Sequence, residues 1–143
     1  MWEAVLGAWG LKSFENDDAA DWVHALEEQG AGLIVETLNT VLVDCDPDDE
    51  CHPEAAASCE ALAAAELVMS AHTGDTSRLS EPAQTVLKML SGAIAGAEHL
   101  ALAKRAADRV RRQSELRELW AETDDFEAWT RDVDQLIDAL KTI

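Results

Sequence analysis

"DDFEAWTRDVDQLIDAL", residues 124–140, places apolar side chains at Phe126, Trp129, Val133, Leu136, Ile137 and Leu140, with acids and other polar residues between them. Steps of three and four residues keep one face of a 3.6-residue helix apolar, and no other segment of the chain shows the pattern as cleanly. Asp124 or Asp125 starts this helix. Moving toward the N-terminus, Ser114 caps "SELRELWAE", in which Leu116, Leu119 and Trp120 are the apolar positions. Before it, residues from about 97 to 112 carry Leu100, Ala103, Ala107 and Val110 on one stripe, the mark of a further amphipathic helix.

"SRLSEPAQTVLKML" offers Ser80 as an N-cap and Pro82 in the first turn, and its short helix breaks near Ser91 and Gly92. An alanine-rich helix opens at Pro53 or Glu54 and stops near Gly74. Close to the start of the chain, Asn16 is an N-cap, with Asp17 and Asp18 in the first turn, where the helix dipole favours negative charge. Ala19, Trp22, Val23 and Leu26 follow at helical spacing, and Gly30 suits the stop. Leu33, Ile34, Leu38, Val41 and Leu42 also repeat with a helical period, although "GLIVETLNTVLVD" is β-branched enough for a strand to compete. The expectation is a single all-α domain over residues 1–143, an irregular bundle of about seven helices.

At 143 residues and 48% hydrophobic, the chain is long enough for one domain with a substantial core. No apolar run approaches the roughly 20 residues needed to span a bilayer, and "MWEAVLGAWG" lacks the basic start of a secretory signal, so a cytoplasmic location is expected. Cys45, Cys51 and Cys59 are odd in number and fit reduced thiols better than a disulfide framework. The net charge of −18 is unevenly spread: residues 1–75 hold 17 acids against Lys12 alone, whereas residues 76–143 hold 12 acids against 10 bases. Such a field repels nucleic-acid phosphates and anionic lipid, and it speeds the encounter with a basic protein.

Two segments, "GAWGLKSFENDDAADWVHAL" near the start and "SELRELWAETDDFEAWTRDVDQLIDAL" at the end, with "ALAAAELVMS" between them, resemble a bacterial family known only as a domain of unknown function. Its members begin Gly-Ala-Trp-Gly and continue Phe-(Glu/Asp)-Asn-Asp, and the resemblance covers nearly the whole chain. It implies no activity, cofactor or catalytic residue. This chain departs from the pattern in the residues before Gly7, including Trp2, and in its longer acidic, cysteine-bearing loop at 44–52.

Among candidate sites, Gly7, Ala8, Trp9 and Gly10 read first as a tight turn that buries an indole, with a ligand-contacting Trp9 as the rival. Phe14, ahead of the cap, is placed to staple onto the first helix. Asp17 and Asp21 share a helix face at i, i+4 and repel each other unless a cation stands nearby. The cluster Lys104, Arg105, Arg109, Arg111, Arg112 and Arg117 is the expected source of that charge. Asp44, Asp46 and Asp48 imitate the start of a calcium loop, but position 6 is Asp49 and position 12 is Ala55, so the pattern fails where it is most diagnostic. The cysteines and His52 match no common zinc spacing, and Cys59 is expected to face the core.

Glu66, inside "ALAAAELVM", needs a donor or cation if buried, and an indole N–H of Trp9 or Trp22 is the expected partner. His24, His72 and His99 stand singly, without a nucleophile nearby in sequence, and no Ser-His-Asp order, phosphate-cradling loop or metal-protease motif appears. No cofactor and no metal are expected. Two functions remain: a non-enzymatic acidic protein binding a basic partner, such as an immunity-type inhibitor, through Asp17, Asp21, Asp46, Asp48 and Asp49; or an all-α enzyme or ligand-binding domain with Asp17, Asp21 and Glu66 around a pocket beside Trp9.

Overall fold

The computed structural model describes residues 10–42 and 52–143. Their regular structure is helical: α1 Asp17–Gln29, α2 Gly32–Thr40, α3 Ala55–Thr73, α4 Glu81–Leu90, α5 Ala97–Arg112, α6 Glu115–Ala121 and α7 Phe126–Lys141, with one 3₁₀ turn at Ser91–Ala93. No strand occurs among the described residues. The competing strand at 33–43 yields to α2, because Ile34, Thr37, Leu38 and Val41 all turn inward at helical spacing. Trp9 and the acidic residues Asp46, Asp48 and Asp49 lie outside the described residues.

The caps sit where local chemistry puts them. The Asn16 side chain accepts a hydrogen bond from the Ala19 N–H at 2.8 Å, and the Ser114 hydroxyl accepts one from the Arg117 N–H at 3.0 Å. Each occupies one donor that the first helical turn leaves unpaired. Gly30 and Gly74 stop α1 and α3 with φ of 83° and 79°, in backbone space that residues with a Cβ enter only under strain. Their N–H groups close onto the Leu26 and Ser70 carbonyls at 2.9 and 2.8 Å. Asp125, by contrast, begins α7 without a side-chain cap.

The centre of the domain is α3. It contacts every other helix of the bundle, most extensively α5, and Ala61, Ala63, Ala64 and Ala65 are completely buried on successive faces of it. A helix enclosed on all sides needs no polar face, which is why its sequence shows no amphipathic stripe. Against it, α5 presents Ala103, Ala106 and Ala107, so two small-residue surfaces meet and the helix axes can approach closely. Trp129, Val133, Leu136, Ile137 and Leu140 of α7 seal the core from one side, and Trp22, Val23 and Leu26 of α1 seal it from another. Among the described residues no helix is long and apolar enough to cross a membrane.

Candidate functional site

The N-cap at Asn16 fixes the start of α1, and so it fixes which way the first acids point. Asp17 and Asp21, one turn apart, are exposed, with Asp18 half-buried beside them. Helix α3 crosses behind this turn and adds the half-buried Glu60. Burial, then the charges of Asp21 and Asp17, push the Asp18 carboxyl above its ordinary value. Burial, then Asp18, do the same to Glu60. The neighbouring Cys59 thiol is pushed up to about 12 by its burial, by Asp18 and by Glu60. Asp17, Asp18, Asp21 and Glu60 therefore share one edge of the bundle, and the charges of Asp18 and Glu60 are disfavoured there.

Among the described residues no ion pair relieves them. Elsewhere among the described residues Arg78 pairs with Glu66 and Asp132, Arg111 with Asp134 and Arg112 with Asp108, while His52 Nε2 lies 3.7 Å from a Glu118 carboxylate oxygen. Among the described residues the expected pairing of Asp17 and Asp21 with the basic cluster of α5 and α6 is thus not formed. Arg111 and Arg112 find acids on α7 and on their own helix, because α5 packs against α7 and meets α3 with its alanine face.

The expectation for Glu66 is corrected as well. Its carboxylate is 1% exposed and is held by Arg78, whose Nε donates to Oε1 at 2.9 Å and to Oε2 at 3.1 Å. The same guanidinium donates from Nη1 and Nη2 to the Asp132 carboxylate at 3.2 and 3.1 Å, and from Nη2 to the Asp132 carbonyl at 3.2 Å. Burial pushes the Glu66 carboxyl up, against the opposing pull of Arg78 and a hydrogen bond with Ser13. Burial pulls Arg78 down, but the bonds and charges of Glu66 and Asp132 together outweigh it and keep the guanidinium charged. The Trp22 indole N–H, offered by the sequence as a partner for Glu66, donates instead to Thr37 Oγ1 at 2.7 Å and ties α1 to α2.

Asp17, Asp21 and Glu66 do not converge. Glu66 lies six residues beyond Glu60 on α3, about 9 Å along the axis and about 240° around it, and its electrostatic neighbours are Arg78, Ser13 and Asp132. Among the described residues no group of three His, Cys, Asp or Glu side chains is arranged to hold a metal ion. Cys59 faces the core, as expected. Sequence reasoning missed Asp18 and Glu60 as members of the acidic edge, and it missed the Arg78 and Asp132 network entirely.

A trough runs between α1 and α2 next to this edge, with a volume of about 480 Å³. Trp22 and Thr37 form its floor, Ala25 and Leu33 its walls, and Asp21, Glu36 and Glu60 its rim. Residues 7–132 match a protein family described as a domain of unknown function, DUF4259. The chain belongs to this family. No curated protein and no solved structure matches it at a significant level. The matched span includes the residues of the acidic edge and Glu66, Arg78 and Asp132, and the family's description names no activity.

Proposed function

We propose that this DUF4259 protein is a non-enzymatic acidic binding protein of the cytoplasm that presents the α1 edge to a basic protein partner, the role an immunity-type inhibitor fulfils. One observation carries the reading: Asp17, Asp18, Asp21 and Glu60 stand together with no ion pair to a cation of the chain among the described residues. A surface that destabilises its own charges gains when a partner supplies the opposite ones, and the gain falls mainly on association rate and partner choice. The 44–50 acids extend the same negative sign in sequence, with Asp46, Asp48 and Asp49 as candidate contacts.

The test uses the natural partner recovered by co-purification from the native host, with association followed by stopped flow from low to high salt. The on-rate is expected to fall steeply as the Debye length shrinks from about 30 Å at 0.01 M to about 8 Å at 0.15 M. Reversal of Asp17 and Asp21 to lysine, or of Asp46, Asp48 and Asp49, is expected to weaken the complex while leaving the circular dichroism unchanged. An affinity indifferent to salt and to both sets of reversals, or a contact confined to residues 76–143, would refute the reading.

A further inference from the structure

The trough beside the acidic edge has a shape as well as a charge. Its walls come from one stripe of α1, ending at Gln29, and one stripe of α2, reaching Thr40. Each stripe runs about 10–12 Å, or two helical turns. The short Gly30–Ala31 link and the Trp22–Thr37 bond hold the two helices side by side as a hairpin. Ala25 contributes only a methyl group to the wall, so the furrow stays open at its middle. Packed helix pairs leave furrows of this kind, which a third helix fills by laying its ridge of side chains between them. Here the apolar surface of Ala25, Leu33 and Trp22 lies at the centre, and the carboxylates of Asp21, Glu36 and Glu60, drawn from three different helices, surround it.

Building on the reading above, we infer that the trough receives a cationic amphipathic helix of the partner. Two turns of that helix set apolar residues, spaced i, i+3 or i+4 and i+7, on Ala25 and Leu33. Lysine or arginine flanking the stripe meets Asp21, Glu36 and Glu60. Helix-in-groove recognition of this kind draws affinity from the apolar stripe and orientation from the flanking charges. The seat also excludes bulk water from Glu60, whose charge its own surroundings already disfavour.

The experiment uses the full chain and a synthetic helical peptide of leucine and lysine with a single apolar stripe, beside a scrambled peptide of identical composition without the stripe. Fluorescence anisotropy reads the affinity. The striped peptide is expected to bind about tenfold or more tightly than the scrambled one. Ala25→Trp, which fills the trough at constant charge, is expected to remove that advantage. Gln29→Trp, at an exposed position at the trough's end, is expected to do the same and covers the case in which the first variant fails to fold. Glu36→Lys is expected to weaken the striped peptide more than Asp138→Lys, an equal charge change on the distant α7. If neither trough-filling variant affects binding while Glu36→Lys still lowers it, the trough inference is overturned and the acidic-edge reading stands. If Asp138→Lys weakens binding as much as Glu36→Lys, only overall charge is at work and the inference is likewise overturned. If no reversal of charge matters, both fall.

Discussion

Replacement of Arg78 by methionine tests the most consequential buried interaction of the domain. The change keeps much of the aliphatic stem but leaves two acids, Glu66 at 1% and Asp132 at 8% exposure, facing each other without their shared cation. Removing one member of a buried pair typically costs about 3–5 kcal/mol, because a charge is stranded in a medium that solvates it poorly. Two features put the expectation at the lower end, about 3 kcal/mol. Glu66 keeps its hydrogen bond with Ser13, and the Arg78 side chain is itself 19% exposed, so the space it leaves borders solvent. For a chain of this length that corresponds to roughly 10 °C in melting temperature.

Urea unfolding followed by tryptophan fluorescence at pH 7 measures the loss directly. Glu66→Gln in the same background removes the stranded charge, so the double variant is expected to be more stable than Arg78→Met alone by about 1–2 kcal/mol. The pH dependence has a definite sign. Without Arg78 the Glu66 carboxyl rises further above its ordinary value, so the folded variant binds a proton that the unfolded chain does not between that value and the raised one. Stability of the variant therefore increases as pH falls through this window, and the gap to the parent protein narrows. A loss below about 1 kcal/mol, or effects of Arg78→Met and Glu66→Gln that simply add, would refute the reasoning.

Glu60→Gln is expected to stabilise the fold slightly at pH 7, by less than about 1 kcal/mol given its partial exposure. A carboxyl held above its ordinary value costs stability as pH rises, so the difference should vanish as pH falls below that ordinary value, where the side chain is protonated in the folded and unfolded chain alike; a constant difference across a calorimetric pH series would contradict this. Thr37→Val leaves the buried Trp22 indole N–H without its acceptor and is expected to cost about 1–3 kcal/mol by urea unfolding, with Trp22→Phe relieving part of the loss in the double variant. Cys59, buried and held near 12, is expected to stay unmodified by iodoacetamide at pH 8 in the native protein and to react in urea, as read by peptide mass mapping.

Much of the fold was legible in local chemistry. Asn16, Ser114, Gly30 and Gly74 act within one helical turn, and the α7 stripe repeats over nearly its whole length. Helix α2 was ambiguous because its β-branched residues suit a strand as well, and only the inward turn of Thr37 beside Leu38 decides for the helix. The site was less legible. Arg78 reaches Asp132 across 54 residues, and nothing in the spacing of either marks the other. Glu60 joins the acidic edge only because α3 crosses α1 there, a tertiary fact with no local trace. Glu66 announced its own problem, a carboxylate among alanines, but its solution lay twelve residues on, in a loop.

The alanine faces of α3 and α5 also set what the domain can become over generations. Where methyl groups fix the spacing of two central helices, any larger side chain must push them apart, and every outer helix rests on that pair. Substitution is thereby driven outward, to the solvent sides of α1, α2 and the connecting loops. A lineage built on this frame can exchange the charges and contours of its rim while the interior stays constant, so that descendants sharing one skeleton can differ widely in the surface they present.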